Sequence, residues 1–208
     1  MKKALLIVDV QNDFTPGGAL AVPEGDEIVP LVNRLAQDSF FSLVVATQDW
    51  HPADHLSFAS QHPGKNIGEV IELGGEPQVL WPDHCVQGTN GARLCPELDA
   101  TNLNRVFQKG QNREVDSYSG FYDNDHQTST GLGEYLKEQE VTEVYVCGLA
   151  TDYCVKYSAI DANQFGFKTY LIEDAARGVN LTAGDVQKAV DEMRENGITI
   201  VQSSEVVQ

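Results

Sequence analysis

The sequence predicts a three-layer α/β/α sandwich on a doubly wound, mostly parallel six-stranded sheet, and three observations carry that expectation. Short apolar runs of strand length recur along the chain without alternating polar residues, the pattern of strands covered on both faces. Segments of helix length lie between most of them, the alternation that a parallel sheet requires. At 208 residues the chain suits one substantial core and is short for two, so it reads as a single domain over residues 1–208.

The first strand is Ala4-Leu5-Leu6-Ile7-Val8, stopped by Asp9. Past a Thr15-Pro16-Gly17-Gly18 loop, residues 26–37 set Ile28, Val29, Leu31, Val32 and Leu35 at helical spacing, with Pro30 tolerated near the start. Leu43 to Ala46 is the second strand and ends in Thr47-Gln48-Asp49. Residues 50–104 have no long periodic segment, yet hold all but one of the five histidines, and read as an insertion lining one edge of a site. Arg105 to Gln108 is the third strand, ending at Lys109-Gly110, and a helix is expected over about residues 129–139. Then come a strand at Glu143–Leu149, a helix at Asp152–Phe165 with Gly166 as its C-cap, a strand at Lys168–Ile172, a helix at Gly184–Glu195 closed by Gly197, and a last strand at Ile198–Val201.

Charge narrows the partners. With 31 acidic against 14 basic residues the formal charge is −17, which repels phosphate backbones and anionic lipid. No nucleic acid and no membrane partner is expected; a neutral small molecule fits, and a homo-oligomer is compatible with the sequence. The apolar run after Lys2-Lys3 is too short for a secretion signal, and no stretch nears the ~20 apolar residues of a membrane span. Four cysteines without C-x-x-C spacing are too sparse for a disulfide scaffold, so a reducing, cytoplasmic setting is expected.

In doubly wound sheets ligands bind outside the carboxyl ends of the strands. Four strands here deliver Asp9, Asp49, Lys109 and Cys154 to that edge. Cys154 lies in Gly148-Leu-Ala-Thr-Asp-Tyr-Cys-Val155, at an expected helix start, where unpaired N–H groups favour thiolate. A carboxylate such as Asp9 can take a thiol proton and return it to a leaving amine, and Lys109 can hold that carboxylate. The same trio also fits a structural Asp–Lys ion pair beneath an inert cysteine. In extended chain Asp49 and His51 share a face and can share one cation. His84 offers a third ligand, His55 is a candidate fourth and Cys85 a weaker one, whereas His62 and His126 read as solvated. The ligand types suit zinc first and leave iron or manganese open. Phe14, Trp81, Tyr118 and Phe121 lie in loops on the same edge and could stack on a flat heteroaromatic ring.

The motifs Ile-Val-Asp-Val-Gln-Asn-Asp-Phe, Gln-Asp-Trp-His-Pro, Trp-Pro-Asp-His-Cys-Val, Lys-Gly, Asp-Ser-Tyr-Ser-Gly-Phe and Gly-Leu-Ala-Thr-Asp-Tyr-Cys-Val together resemble the bacterial nicotinamidases, or pyrazinamidases, of the isochorismatase-like cysteine hydrolases. The resemblance spans essentially the whole chain. It implies Cys154 as nucleophile, Asp9 as base then acid, Lys109 as their partner, and an oxyanion hole from the N–H groups of Ala150 and Cys154 behind a cis Leu149–Ala150 peptide. It also implies one divalent metal on Asp49, His51 and His84, with ligation by His55 left open. Phe14 and Trp81 would sandwich the ring, with Leu20 and Tyr118 beside it. The implied reaction is deamidation of nicotinamide, and of pyrazinamide, in NAD salvage. An amidase resembling the N-carbamoylsarcosine hydrolases, or a non-catalytic nicotinamide- or metal-binding module, is the alternative.

Overall fold

The structure is a computed structural model and describes residues 1–207. Six parallel strands form the sheet: β1 (Lys2–Val8), β2 (Leu43–Asp49), β5 (Arg105–Lys109), β6 (Val141–Leu149), β7 (Lys168–Arg177) and β8 (Thr199–Val201). Two short strands, β3 (Val70–Leu73) and β4 (Glu76–Val79), make an antiparallel hairpin apart from it. The helices are α1 (Val29–Gln37), α2 (Leu132–Glu138), α3 (Lys156–Gln164), α4 (Asp185–Glu195) and α5 (Ser203–Val206). In space the sheet runs β5-β2-β1-β6-β7-β8.

Why the strands read as unbroken apolar runs is visible in how their residues divide between two cores. Leu5 and Ile7 of β1, with Val44 of β2 and Tyr145 and Cys147 of β6, pack with Val29, Val32 and Leu35 of α1 and Val206 of α5. The intervening Ala4, Leu6 and Val8, with Val45, Val144 and Val146, pack with Leu132 and Leu136 of α2, Ala159 and Ala162 of α3, and Val190 and Met193 of α4. Successive side chains point to opposite faces, and here both faces are covered. Among the described residues no helix is long and apolar enough to cross a membrane.

Several boundaries differ from expectation. Strand β2 runs on to Asp49 because its polar end is buried and bonded: Thr47 Oγ1–H donates to Asp9 Oδ1 at 2.7 Å, and Asp49 N–H donates to Gln11 Oε1 at 2.8 Å. Strand β7 extends to Arg177 by a second pairing past a register shift, Gly148 with Ala176 and Leu149 with Arg177. The helices expected over 26–37 and 129–139 are shorter at one or both ends, as α1 and α2. The expected helix at 152–165 opens as one wide turn, Thr151–Val155, in which Val155 N–H reaches back to Ala150 O at 3.1 Å; only then does α3 continue regularly. The long segment between β2 and β5 holds the β3/β4 hairpin and 3₁₀ turns at Ala59–Gln61 and Ala100–Asn102.

Candidate active site

From β1 the chain proceeds outward through β2 to β5, and from β6 outward the other way through β7 to β8, so strand order reverses between β1 and β6. Asp9 and the turn bearing Cys154 emerge at that reversal, the place where such sheets bind ligands. Close approach there depends on Gly148, paired with Val8: at φ 116°, a Cβ on it would stand 2.2 Å from Val8 O. Asp9 itself takes a left-handed conformation, φ 47°, which turns the chain off the strand.

Lys109 ties the elements together. Its Nζ lies 3.0 Å from Asp9 Oδ2 and 3.0 Å from Asp49 Oδ1, donates to Ser117 O at 2.7 Å, and stands 3.5 Å from Cys154 Sγ. The side chains of Lys109 and Asp9 are 0% exposed and that of Asp49 5%, so none of these charges reaches solvent. Lysine that deep is stable only when paired. Burial alone would push the ammonium down, but the Asp49 and Asp9 carboxylates together outweigh it and hold Lys109 well above its usual value.

The acids on either side respond in opposite directions. Burial raises Asp9, against the pull of Lys109 and the Thr47 hydrogen bond, whereas at Asp49 burial is overcome by His51 and Lys109 and the carboxyl is held well below its usual range. Burial also pushes the Cys154 thiol well above its ordinary value, only partly offset by Lys109. That corrects the expectation that the helix start would favour thiolate: the turn is wide, the sulfur is out of water, and two carboxylates lie close. Burial thus favours the protonated thiol, with Asp9, its own carboxyl raised by burial, beside it.

His51 and His84 converge on Asp49 from the segment after β2. Their Nε2 atoms lie 2.9 Å and 3.4 Å from Asp49 Oδ2, and the ligand atoms of all three sit within 4.8 Å of one another. His51 Nδ1 lies 2.9 Å from Gly110 O and His84 Nδ1 lies 2.7 Å from Pro82 O. Carbonyl oxygens only accept, so both Nδ1 atoms carry hydrogen, and each ring in its neutral form turns its Nε2 lone pair toward Asp49. Acceptors crowded so closely fit one divalent cation between them, with the carbonyls orienting each ring. Gly110, at φ 68°, makes room: a Cβ there would stand 2.5 Å from His51 Cε1.

His55, the candidate fourth ligand, lies beside His51, and its Nε2 is buried with no hydrogen-bond partner among the described residues. Its ring is tilted 45° against that of His51, with centroids 4.3 Å apart, and its ligand atom groups with those of His51 and Asp116. Its Nδ1 takes the Ser57 backbone N–H at 3.1 Å, and burial, reinforced by His51, lowers it to about 4. Cys85 lies outside both groups and accepts from Gln11 Nε2 at 3.4 Å. Of the other histidines, His62 is partly buried and donates to Leu56 O at 2.7 Å, while His126 is half exposed beside Asp161.

A pocket opens over this edge, lined by Phe14, Leu20, Trp81, Tyr118, Tyr153 and Val179 around Cys154, Ala150, Asp49, His84 and Asp116. Trp81 stands edge-on to Tyr153 at 5.0 Å and donates through Nε1 to the Tyr118 hydroxyl at 3.1 Å. Phe121, expected nearby, is instead fully buried in the α2–α4 core. The Leu149–Ala150 peptide is cis. The Ala150 carbonyl takes the N–H groups of Tyr153 and Val155, passing over Cys154 between them.

Sequence reasoning did not single out Thr47, Gln11, Asp116, Gln78 or Tyr153. Gln11 sits two residues past Asp9 and clamps the Asp49 backbone with both amide atoms, at 2.8 Å and 2.9 Å. Its place in the first motif was its only signal, as a place in a motif was for Asp116 and Tyr153; Thr47 and Gln78 lie outside the motifs, on elements whose proximity no local pattern shows.

A parallel three-layer sheet with a buried thiol, carboxylate and ammonium at its reversal point, next to a cation-binding cluster, defines an α/β protein built like a cysteine hydrolase. The chain belongs to the isochorismatase family, whose Isochorismatase domain matches residues 3–205. It is 50% identical over 200 residues to a nicotinamidase of Escherichia coli, covering 95% of this chain and 93% of that protein. The structure of an Acinetobacter baumanii nicotinamidase/pyrazinamidase superposes with TM-score 0.95 at 48% identity, covering 99% of this chain and 98% of that one. That of a Pyrococcus horikoshii pyrazinamidase in complex with zinc gives TM-score 0.77 at 40% identity, covering 97% and 99%.

Proposed function

We propose that this chain, acting as one domain, is a nicotinamidase that hydrolyses nicotinamide, and pyrazinamide, to the carboxylate and ammonia, serving NAD salvage in the cytoplasm. The observation that carries the reading is the single ammonium of Lys109, which stands 3.0 Å from Asp9 Oδ2 and 3.5 Å from the Sγ of Cys154, itself a lining residue of the aromatic pocket. Similarity to nicotinamidases along nearly the full chain supports the substrate class.

In this mechanism Asp9 takes the Cys154 proton as the sulfur attacks the carboxamide carbon. The N–H groups of Ala150 and Cys154 receive the negative charge on the carbonyl oxygen, and Lys109 offsets the charge of whichever neighbour is anionic. Asp9 returns the proton to nitrogen, the C–N bond breaks and ammonia leaves a thioester. Asp9 then takes a proton from an attacking water, the C–S bond breaks and the proton goes back to sulfur. Phe14 and Trp81 flank the ring, with Leu20 and Tyr118 closing the sides. Asp49, His51 and His84 would hold a divalent metal such as zinc, which would supply positive charge to orient the substrate.

An N-carbamoylsarcosine-type amidase gives no reason for the Asp49, His51 and His84 cluster, and a binding module gives none for a carboxyl poised beside a protonated thiol. Ammonia release from nicotinamide by the purified protein tests the reading. Cys154→Ala should lower the rate at least about a thousandfold; substantial residual deamidation would remove Cys154 as nucleophile.

A further inference from the structure

The β3/β4 hairpin sends one side chain into the site's wall. Gln78 of β4 is 4% exposed, and its Nε2 lies 2.8 Å from Val79 O, 2.9 Å from Asp116 Oδ2 and 3.1 Å from the Tyr118 hydroxyl. These neighbours settle which way the amide faces. Turned over, Gln78 Oε1 would confront a carbonyl and a carboxylate at under 3 Å, acceptor against acceptor. Nitrogen therefore faces Tyr118, and an amide nitrogen accepts nothing. The other partner of that hydroxyl is Trp81 Nε1–H at 3.1 Å, which is likewise a donor only. The two Gln78 hydrogens go first to the shorter contacts with Val79 O and Asp116 Oδ2, Trp81 N–H donates to the hydroxyl, and Tyr118 can give its own proton to neither nitrogen. Among the hydrogen bonds of the described residues none is donated by the Tyr118 hydroxyl, and the ring lines the pocket that holds Cys154.

Resting on the nicotinamidase reading, we propose that the Tyr118 hydroxyl donates its hydrogen bond to an acceptor atom of the bound heteroaromatic carboxamide, and that Gln78 is the positioning residue that makes it a donor there. The hydroxyl could not serve this way if Gln78 offered an acceptor, because the proton would turn back into the wall. The arrangement links the hairpin to substrate recognition without bringing Gln78 to the substrate.

The test measures nicotinamide binding by calorimetry to the full chain carrying Cys154→Ala, so that turnover is absent, alongside ammonia release by the chain with Cys154 intact. Adding Tyr118→Phe should weaken binding about tenfold, the effect of one neutral hydrogen bond. Gln78→Met, which keeps length and loses the amide, should weaken it several-fold, and combining the two should cost no more than Tyr118→Phe alone, the signature of coupled residues. With Cys154 present, both substitutions should raise KM while leaving kcat within about threefold. Binding by Tyr118→Phe within twofold of its parent, losses that simply multiply, or no nicotinamide binding by the parent would each overturn the proposal. Deamidation that is absent while these binding losses appear would sink the enzymatic reading and leave the donor role standing.

Discussion

Replacing Lys109 with Met keeps the length of the side chain and removes its charge from between two buried carboxylates. At 3.0 Å and an effective dielectric constant of ~20, each ion pair is worth about 5.5 kcal/mol of Coulomb energy. Most of that offsets the desolvation of three buried ions, so the loss expected is the measured range for breaking a buried pair, about 3–5 kcal/mol. For a chain of this size that is a Tm lower by about 6–20 °C. The deficit should depend on pH in a defined direction. Without the ammonium, the folded-state pKa of Asp9, already raised, moves further above that of the unfolded chain, so the folded variant binds the extra proton and loses stability as pH climbs from about 4. Urea unfolding of chelator-treated protein at several pH values between 5 and 8 reads both effects. A variant within about 1 kcal/mol of the parent at pH 8 would refute the claim that Lys109 is what makes the buried carboxylates tolerable.

Three further outcomes follow from individual contacts. Thr47→Val removes the hydroxyl that donates to Asp9 Oδ1 at 2.7 Å, and should cost about 1.5–3 kcal/mol while shifting the acid limb of the activity profile to higher pH, as seen in denaturation and pH–rate curves. Gly110→Ala sets a methyl 2.5 Å from His51 Cε1, and should weaken zinc binding about 10–100-fold in a metal titration; unchanged affinity would take the Gly110 carbonyl out of the ligand's support. Burial, with Asp125 and Asp116 nearby, raises Asp123 to about 6, so the folded chain holds a proton there that the unfolded chain releases near 3.8. Stability should therefore fall as pH rises from about 4 through 6, and Asp123→Asn should flatten that slope in thermal melts across the window.

How far the sequence reached depends on the kind of interaction. Continuous apolar runs such as Leu5 to Val8 report a strand covered on both faces, and residues at strand ends report the active edge, because both follow from local periodicity and a topological rule. Hence the sheet, its carboxyl edge, and the meeting of Asp9, Lys109 and Cys154 were legible, as was the gathering of Asp49, His51 and His84. Neither the desolvation of the Cys154 thiol nor the surroundings of His55 were. The first depends on how completely the surrounding chain excludes water from the thiol; the second depends on Ser57 and Asp116 claiming the ring's neighbourhood. Gln78 shows the difference most plainly: nothing around it in the sequence marks an exceptional residue, and only the packing of its hairpin against residues 116 and 118, some forty positions away, turns an ordinary amide into the group that directs a tyrosine's proton. Periodicity is a property of neighbours along the chain. Desolvation and hydrogen-bond direction belong to neighbours in space, and only the folded protein decides those.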